Sequence, residues 1–399
     1  MFKKIFYVLF FLTVLFLAMY TNINELYIWT YIIAGIPLVS FTLLVIAIYS
    51  IKYTESINDK RVVRGESILY NLNMFNEDFF LYPYIQTNFF VDSHFNRELF
   101  STGYIFLFPH KEYKVEKNIL CNHIGGFNIG IKDFEFRDYF GFFSIKAPNK
   151  TSTKFVYVLP KIHYLSKFAS VQGNIEEKVI VSGQKGMLED YTEIESIDEY
   201  RPGIPYKKIH WKASAAKDKL YVKEFSHPND ISVSMYVDIN LEYFNDEEML
   251  TAKDIVLESA LSIAGYCVTG NITCKTLMND VNMSDYAITT SQDFDKFYNF
   301  MAFLNMEESL PFETMMRNYY NRNFATRDVI IVSGSLTDYL MDLIIELKTA
   351  GINVILVCPF LGTQEVLNKN SIFIDTLRDK KITVYAVSSA DEIGTVLQS

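Results

Sequence analysis

Cysteine is scarce in this chain. Cys121, Cys267, Cys274 and Cys358 are the four in 399 residues, and no two form a CxxC pair. That spacing excludes a disulfide framework or a cysteine zinc site and points to reduced, mostly buried thiols. Phosphate-loop glycines are missing too: there is no GxGxxG after a strand and no GxxxxGK followed by Ser or Thr. A GxSxG nucleophile elbow is absent as well. Excess positive charge is also lacking. The formal net charge is −10, which gives no reason to expect nucleic acid as a partner. There is no internal repeat and no low-complexity segment. Half of the residues are hydrophobic and 16% are aromatic, which excludes disorder as the default. The length suits two or three domains.

What is present begins with two uncharged runs, Ile5 to Tyr20 and Tyr27 to Tyr49. At ~1.5 Å per residue the second is ~35 Å long, enough to cross a bilayer with some tilt. The first is ~24 Å long, workable where Lys3 and Lys4 snorkel to the interface. No small-residue cleavage site follows Tyr20, so the pair is expected to be a retained hairpin and not a signal peptide. Lys3 and Lys4 precede it, Lys52, Lys60, Arg61 and Arg64 follow it, and the connecting loop holds only Glu25. The positive-inside rule then places everything after residue 50 in the cytoplasm. With no charge in either run, a plain anchor is expected and not a transport path.

From about residue 60 to 165, short aromatic and β-branched runs recur between turn residues, predicting a small antiparallel β-sandwich-like domain. In FNIGIKDFEF, Ile129 and Ile131 share one face, as do Phe134 and Phe136. The phase slips at Lys132-Asp133, so a turn or bulge is expected there. After Ile231 the pattern alternates. SVSMYVDIN, ITCKTL, DVIIVSG, NVILVCP and TVYAVSS read as strands. Helices are predicted after Asn245, near Asp293 to Leu304, and up to Gly351. Runs such as VIIV and VILV suit a parallel sheet buried on both faces, giving a doubly wound α/β domain.

Such sheets bind ligands at the carboxyl ends of their strands. There the chain reads Asp238-Ile239-Asn240-Leu241-Glu242. Asp238, Asn240 and Glu242 offer oxygens of the kind magnesium takes, with Ser333, Ser335 and Asp338 as a second loop. The plain alternative is that Asp238 and Asn240 cap the strand and start a turn. A hydrolase centred on His210, with Ser214 nearby, rests on proximity alone.

One basic island stands out in this acidic chain. Between Tyr200 and Phe225, Arg201, Lys207, Lys208, His210, Lys212, Lys217, Lys219 and Lys223 surround Trp211. Either its aromatic bodies brace the α/β domain while the lysines stay solvated, or the lysines form a docking face for an acidic partner.

The residues Tyr200, Pro202, Gly203, Ile209, Trp211, Lys212, Ser214, Ala215, Leu220, Val222 and Glu224 resemble the signature of the domain of unknown function 58 family. Upstream, Asp138, Phe140, Gly141 and Phe143 are similar to its Asp-x-Phe-Gly-Leu-Phe stretch. The resemblance implies two membrane helices at about 5–20 and 27–49 within residues 1–52. It then implies a β domain over 60–165, and over 175–399 the signature (187–225) with a von Willebrand factor A-like domain. It implies a multi-pass protein of a bacterial-type plasma membrane, with cytoplasmic soluble domains. It would be a scaffold and not an enzyme, partnered by a MoxR-type AAA ATPase and a transglutaminase-like membrane protein. Partner-binding residues would be Tyr200, Arg201, Gly203, His210, Trp211, Lys212, Ser214, Lys223 and Glu224. Two departures stand out: Ile204 replaces the usual Asp, and Lys207 or Lys208 the usual arginine. The adhesion-type metal motif Asp-x-Ser-x-Ser is reduced to Asp238-x-Asn240-x-Glu242, so magnesium would be bound only through a degenerate site.

Overall fold

Helix α1 (Phe2–Thr21) and helix α2 (Asn24–Ser50) follow the two apolar runs in a computed structural model. It describes residues 2–91, 103–147, 152–168, 194–199, 214, 221–225, 232–242, 244–304, 306, 309–323 and 328–399. Both helices are long and apolar enough to cross a membrane. Asn22 makes the tight reversal between them in the left-handed region, at φ 56°, which a short amide side chain tolerates. Helix α2 runs through Pro37 without ending.

The chain forms two compact units, Met1–Leu159 and Pro160–Ser399. In the first, β1 (Lys52–Ile57), β3 (Ser67–Phe75) and β6 (Glu112–Leu120) make an antiparallel sheet in the order β1-β3-β6. A second sheet runs β2-β9-β7-β4-β5, from β2 (Arg61–Val63), β9 (Ser152–Leu159), β7 (Gly125–Arg137), β4 (Tyr82–Val91) and β5 (Ile105–Leu107). Strand β8 (Ser144–Ala147) also pairs with β7. The sheets share one core, with alternate residues such as Ile68, Tyr70, Leu72 and Met74 of β3 pointing inward. The phase slip in β7 is a bulge. Asn88 pairs with Asp133 and Phe89 with Ile131, leaving Lys132 as the extra residue, so Ile129, Ile131, Phe134 and Phe136 are all buried. The domain is not purely antiparallel, because β2 joins β9 in parallel.

The end of the run expected to span up to Tyr49 also packs on the β domain. Leu44, Ala47 and Ile51 belong to the β core beside Tyr82, Phe134 and Phe136. Apolar residues in a helix do not distinguish lipid from a protein interior as the surrounding medium. The last two turns of α2 are thus the end wall of the β domain.

In the second unit, β10 (Ile194–Glu199) and β11 (Tyr221–Phe225) form a two-stranded antiparallel ladder. The main sheet is built from β12 (Ser232–Asp238), β13 (Thr273–Met278), β14 (Asp285–Ile288), β15 (Asp328–Ser333), β16 (Asn353–Pro359) and β17 (Thr383–Val387). Its order is β14-β13-β12-β15-β16-β17, parallel except for β14 at the edge. Helices α5 (Phe312–Asn323), α6 (Asp338–Thr349) and α7 (Gln364–Asp379) cover one face, through residues such as Met316, Leu343, Ile344 and Leu377. Helix α3 (Asp246–Thr269) packs on the sheet with Val256, Ala260, Ile263 and Cys267 fully buried. Helix α4 (Ser291–Ala302) starts at a capping box of Thr290 and Asp293. The periodicity reading missed β14, α5 and α7. β14 is four residues long, and both helices carry mostly polar outer faces.

Residues 160–165, assigned by pattern to the β domain, pack instead in the second unit. Glu258 of α3, fully buried, accepts from the Lys161 N–H at 2.8 Å and meets His163 Nε2 at 2.9 Å. The His163 N–H donates to Ser262 Oγ at 3.0 Å, and Tyr298 Oη to the Pro160 carbonyl at 2.9 Å. All four cysteines are free and buried.

Candidate functional site

The order of the parallel strands reverses between β12 and β15, so a crevice is expected above their carboxyl ends. Asp238 ends β12 and lies opposite Ser333, which ends β15. The Asp238 side chain is buried, and four donors converge on it. Its Oδ1 accepts from the Asn240 N–H at 3.0 Å and from Asn279 Nδ2 at 2.9 Å. Its Oδ2 faces Ser333 Oγ at 2.9 Å and Ser335 Oγ at 3.3 Å. Burial pushes its carboxyl up to about 6, against the opposing pull of these hydrogen bonds. The carboxylate of Glu313 pushes it in the same direction as burial.

Asn279, directly after β13, was not singled out from the sequence. It completes the node. Its Oδ1 accepts from the Ile239 N–H at 2.8 Å, and its Nδ2 also donates to the Leu310 carbonyl at 2.9 Å. Its only sequence signal is a polar residue at the carboxyl end of a strand beside the switch point. Gly334 is required by close approach: a Cβ there would lie 2.7 Å from the Asn240 carbonyl and 2.6 Å from Leu241 Cδ2. The turn after β12 is stitched twice, since the Glu242 N–H donates to Asn240 Oδ1 at 3.0 Å. Asp238 and Asn240 therefore act as strand-end turn residues. Glu242 enters through its backbone, and its side chain is exposed.

This donor set fits a divalent cation poorly. A magnesium site wants several hard oxygens with lone pairs free to converge. Here both Asp238 oxygens already face two donors each, and Asn240 Oδ1 is engaged. Among the described residues no three His, Cys, Asp or Glu groups converge.

Beside the node opens a cleft of about 550 Å³. Ser335 belongs to both. Leu336, Tyr339 and Val366 give it apolar walls, and Asp338, Glu365 and Lys369 give it charge. Asp338 opens α6, whose N-cap Thr337 donates to Glu313 Oε1 at 2.6 Å and accepts from the Leu340 N–H at 3.1 Å. Tyr339 is 78% exposed, a large aromatic held at the rim.

The predicted signature divides. Tyr200, Arg201, Gly203, His210, Trp211 and Lys212 lie outside the described residues. Ser214 is helical and buried. Lys223 and Glu224 stand in β11 opposite Ile197 and Ser196. Ser333 and Ser335 are brought to Asp238 as a second loop, whereas Asp338 lines the cleft instead.

No protein-family model matches the chain, and no curated protein matches it. Among solved structures it is similar to proximal thread matrix protein 1 from the mussel byssus, at 12% identity and TM-score 0.30. That match covers 42% of this chain and 46% of the mussel chain, so the chain spans less than half the length of that protein. A cohesin module from a Clostridium perfringens family 33 glycoside hydrolase matches at 12% identity and TM-score 0.17, over 27% of this chain and 96% of the module. A Paenibacillus sp. cycloisomaltooligosaccharide glucanotransferase matches at 9% identity and TM-score 0.18, over 83% of this chain and 52% of the enzyme. Scores this low assign neither fold nor activity.

Proposed function

We propose that this chain is a membrane-anchored cytoplasmic scaffold of the domain of unknown function 58 type. Its α/β unit, read as von Willebrand factor A-like, would hold a protein partner at its carboxyl edge. The partner class is a MoxR-type AAA ATPase, with a transglutaminase-like membrane protein as a second member. The observation carrying this reading is the edge itself: a hydrogen-bonded node at Asp238 beside an open cleft rimmed by Tyr339 and Val366. A buried carboxylate whose oxygens already face donors is suited to shaping a surface, not to attacking a substrate. An exposed aromatic at a cleft rim is the kind of group that anchors a protein interface.

The test is recovery of partners from native membranes in mild detergent, identified by mass spectrometry. Wild type would be compared with Tyr339→Ala plus Val366→Ala, and with Trp211→Ala plus Lys212→Ala, all verified as folded. Loss of an ATPase in the first variant places the dock at the cleft, and loss in the second places it at the basic island. Recovery of no protein partner by wild type would overturn the scaffold reading. Orientation is tested separately. Because the native cysteines are buried, a single Lys111→Cys should resist membrane-impermeant thiol reagents in intact cells and react after lysis.

A second reading, a metal-dependent binding module, would need the Ser333 and Ser335 hydroxyls to turn their lone pairs to a cation beside Asp238 in place of their present hydrogen bonds. It requires a saturable magnesium-induced thermal shift of the detergent-solubilised chain that Asp238→Asn abolishes.

A further inference from the structure

The β domain carries an aromatic loop, Asp138-Tyr139-Phe140-Gly141-Phe142-Phe143, that the scaffold reading leaves unexplained. Its carboxylate is fully buried and holds the loop from inside. Asp138 Oδ1 accepts from the Phe143 N–H at 2.7 Å, and Oδ2 from the Phe140 N–H at 3.3 Å. The Oδ2 atom also accepts from Ser40 Oγ of helix α2 at 2.7 Å. Gly141 makes the tip at φ 76°, where a side chain would be strained. Tyr139 Oη donates to the Leu81 carbonyl. The rings continue the contact along the hairpin: Phe142 lies 4.6 Å from Tyr7, and Phe143 5.1 Å from Phe41. The loop is thus rigid, yet Phe140 is 54% exposed.

Its level on the hairpin follows from the helix lengths. Tyr7 of α1 donates to the Ile33 carbonyl of α2, so these residues lie side by side. Past that level α1 extends ~8 Å to its start, whereas α2 runs on ~25 Å. The extra length of α2 is the part sealed in the β core through Leu44 and Ala47. The loop meets α2 at Ser40, between the paired stretch and the sealed turns, near the end of α1 that carries Lys3 and Lys4. That is the depth at which aromatic side chains settle at a membrane surface.

Between loop and helix lies a groove of about 380 Å³ lined by Ile32, Gly35, Ile36, Val39, Tyr139 and Phe140. Gly35 leaves it open, since a Cβ there would meet nothing within 4 Å. The two hydroxyls in its lining, on Ser40 and Tyr139, are already engaged by Asp138 and by the Leu81 carbonyl. We infer that the 138–143 loop is a third membrane contact, and that its groove with α2 holds a phospholipid acyl chain. The groove is continuous with the lipid: it is cut into the same helix face that the anchor exposes to the bilayer, and its walls are apolar. This rests on the anchor part of the proposed function.

The full chain would be reconstituted in phosphatidylcholine–phosphatidylglycerol vesicles with single spin labels at Phe140→Cys, Phe16→Cys or Asp59→Cys. The native cysteines are buried, and Asp59 lies in the exposed turn after β1, which leads away from α2. The label at 140 is expected to collide several-fold more often with oxygen than with a water-soluble nickel chelate, as at 16 and unlike 59. The fluorescence that Phe140→Trp adds to a Trp29→Phe chain should be quenched by chain-brominated lipid, and filling the groove with Gly35→Leu should at least halve that quenching. An aqueous label at 140 with a lipid-buried label at 16 overturns the inference and leaves the anchor standing. An aqueous label at 16 overturns both. Shielding of 140 from both quenchers means that a second copy of the chain covers the loop, and overturns the lipid assignment. Quenching unchanged by Gly35→Leu overturns the groove as the acyl site.

Discussion

The His163 imidazole and the Glu258 carboxylate meet at 2.9 Å across 95 residues of sequence, with the Glu258 side chain wholly buried in helix α3. Glu258 also binds the Lys161 N–H, so one carboxylate fastens the 160–168 segment to the helix. Removing His163 takes one partner from the buried Glu258 carboxylate and leaves it the Lys161 N–H. His163→Ala is therefore expected to destabilise the α/β unit by about 2 kcal/mol. Thermal melts of the detergent-solubilised chain would check this, and an unchanged midpoint would show the pair to be energetically idle.

Asp238 predicts a pH dependence. Its carboxyl is pushed up to about 6 by burial, so the folded state holds this proton more tightly than the unfolded chain. Its contribution is fully present below the ordinary carboxylate range. It is lost as pH rises towards and through about 6, on the order of 3 kcal/mol. Ser333 Oγ adds a geometric reason: its single proton faces both Asp238 Oδ2 at 2.9 Å and the Ser335 carbonyl at 2.6 Å. A proton on Asp238 satisfies both. Asp238→Asn should flatten the stability difference between pH 4 and 7, measured against wild type so that other carboxylates cancel. A parallel pair of curves would refute the assignment.

Gly334→Ala tests the close approach at the same edge. The added carbon would press on the Asn240 carbonyl, which cannot retreat without disturbing the turn from β12. A loss on the order of 2 kcal/mol is expected. The melting midpoint should fall accordingly, and partner recovery should fall with it.

Ser40→Ala tests the junction between anchor and β domain. Asp138 keeps its two N–H donors and loses the hydroxyl, which should cost about 1–2 kcal/mol. Limited proteolysis in detergent should then release the β domain faster than in wild type. Equal rates would mean that the core contacts of Leu44 and Ala47 alone hold the junction.

Local patterns were legible without coordinates. Two uncharged runs specify two helices because burying a charge in lipid or core is costly. A period of two after residue 60 and an alternation of apolar runs after residue 231 separate a β unit from an α/β unit. The slip at Lys132-Asp133 marks the bulge, because side-chain direction alternates strictly along a strand. Even the turn at Asp238-x-Asn240 could be read, since Asx side chains bond the backbone two residues on.

Only the tertiary structure decided the rest. Asn279 joins Asp238 across 41 residues, His163 joins Glu258 across 95, and Ser40 joins Asp138 across 98. No periodicity encodes such pairs, because each exists only where packing of distant elements excludes water and leaves a polar group only protein partners to find. The same reason hid the end of α2. Leu44 and Ala47 are apolar whether lipid or protein surrounds them, and the fold, not the composition, put them inside the β domain.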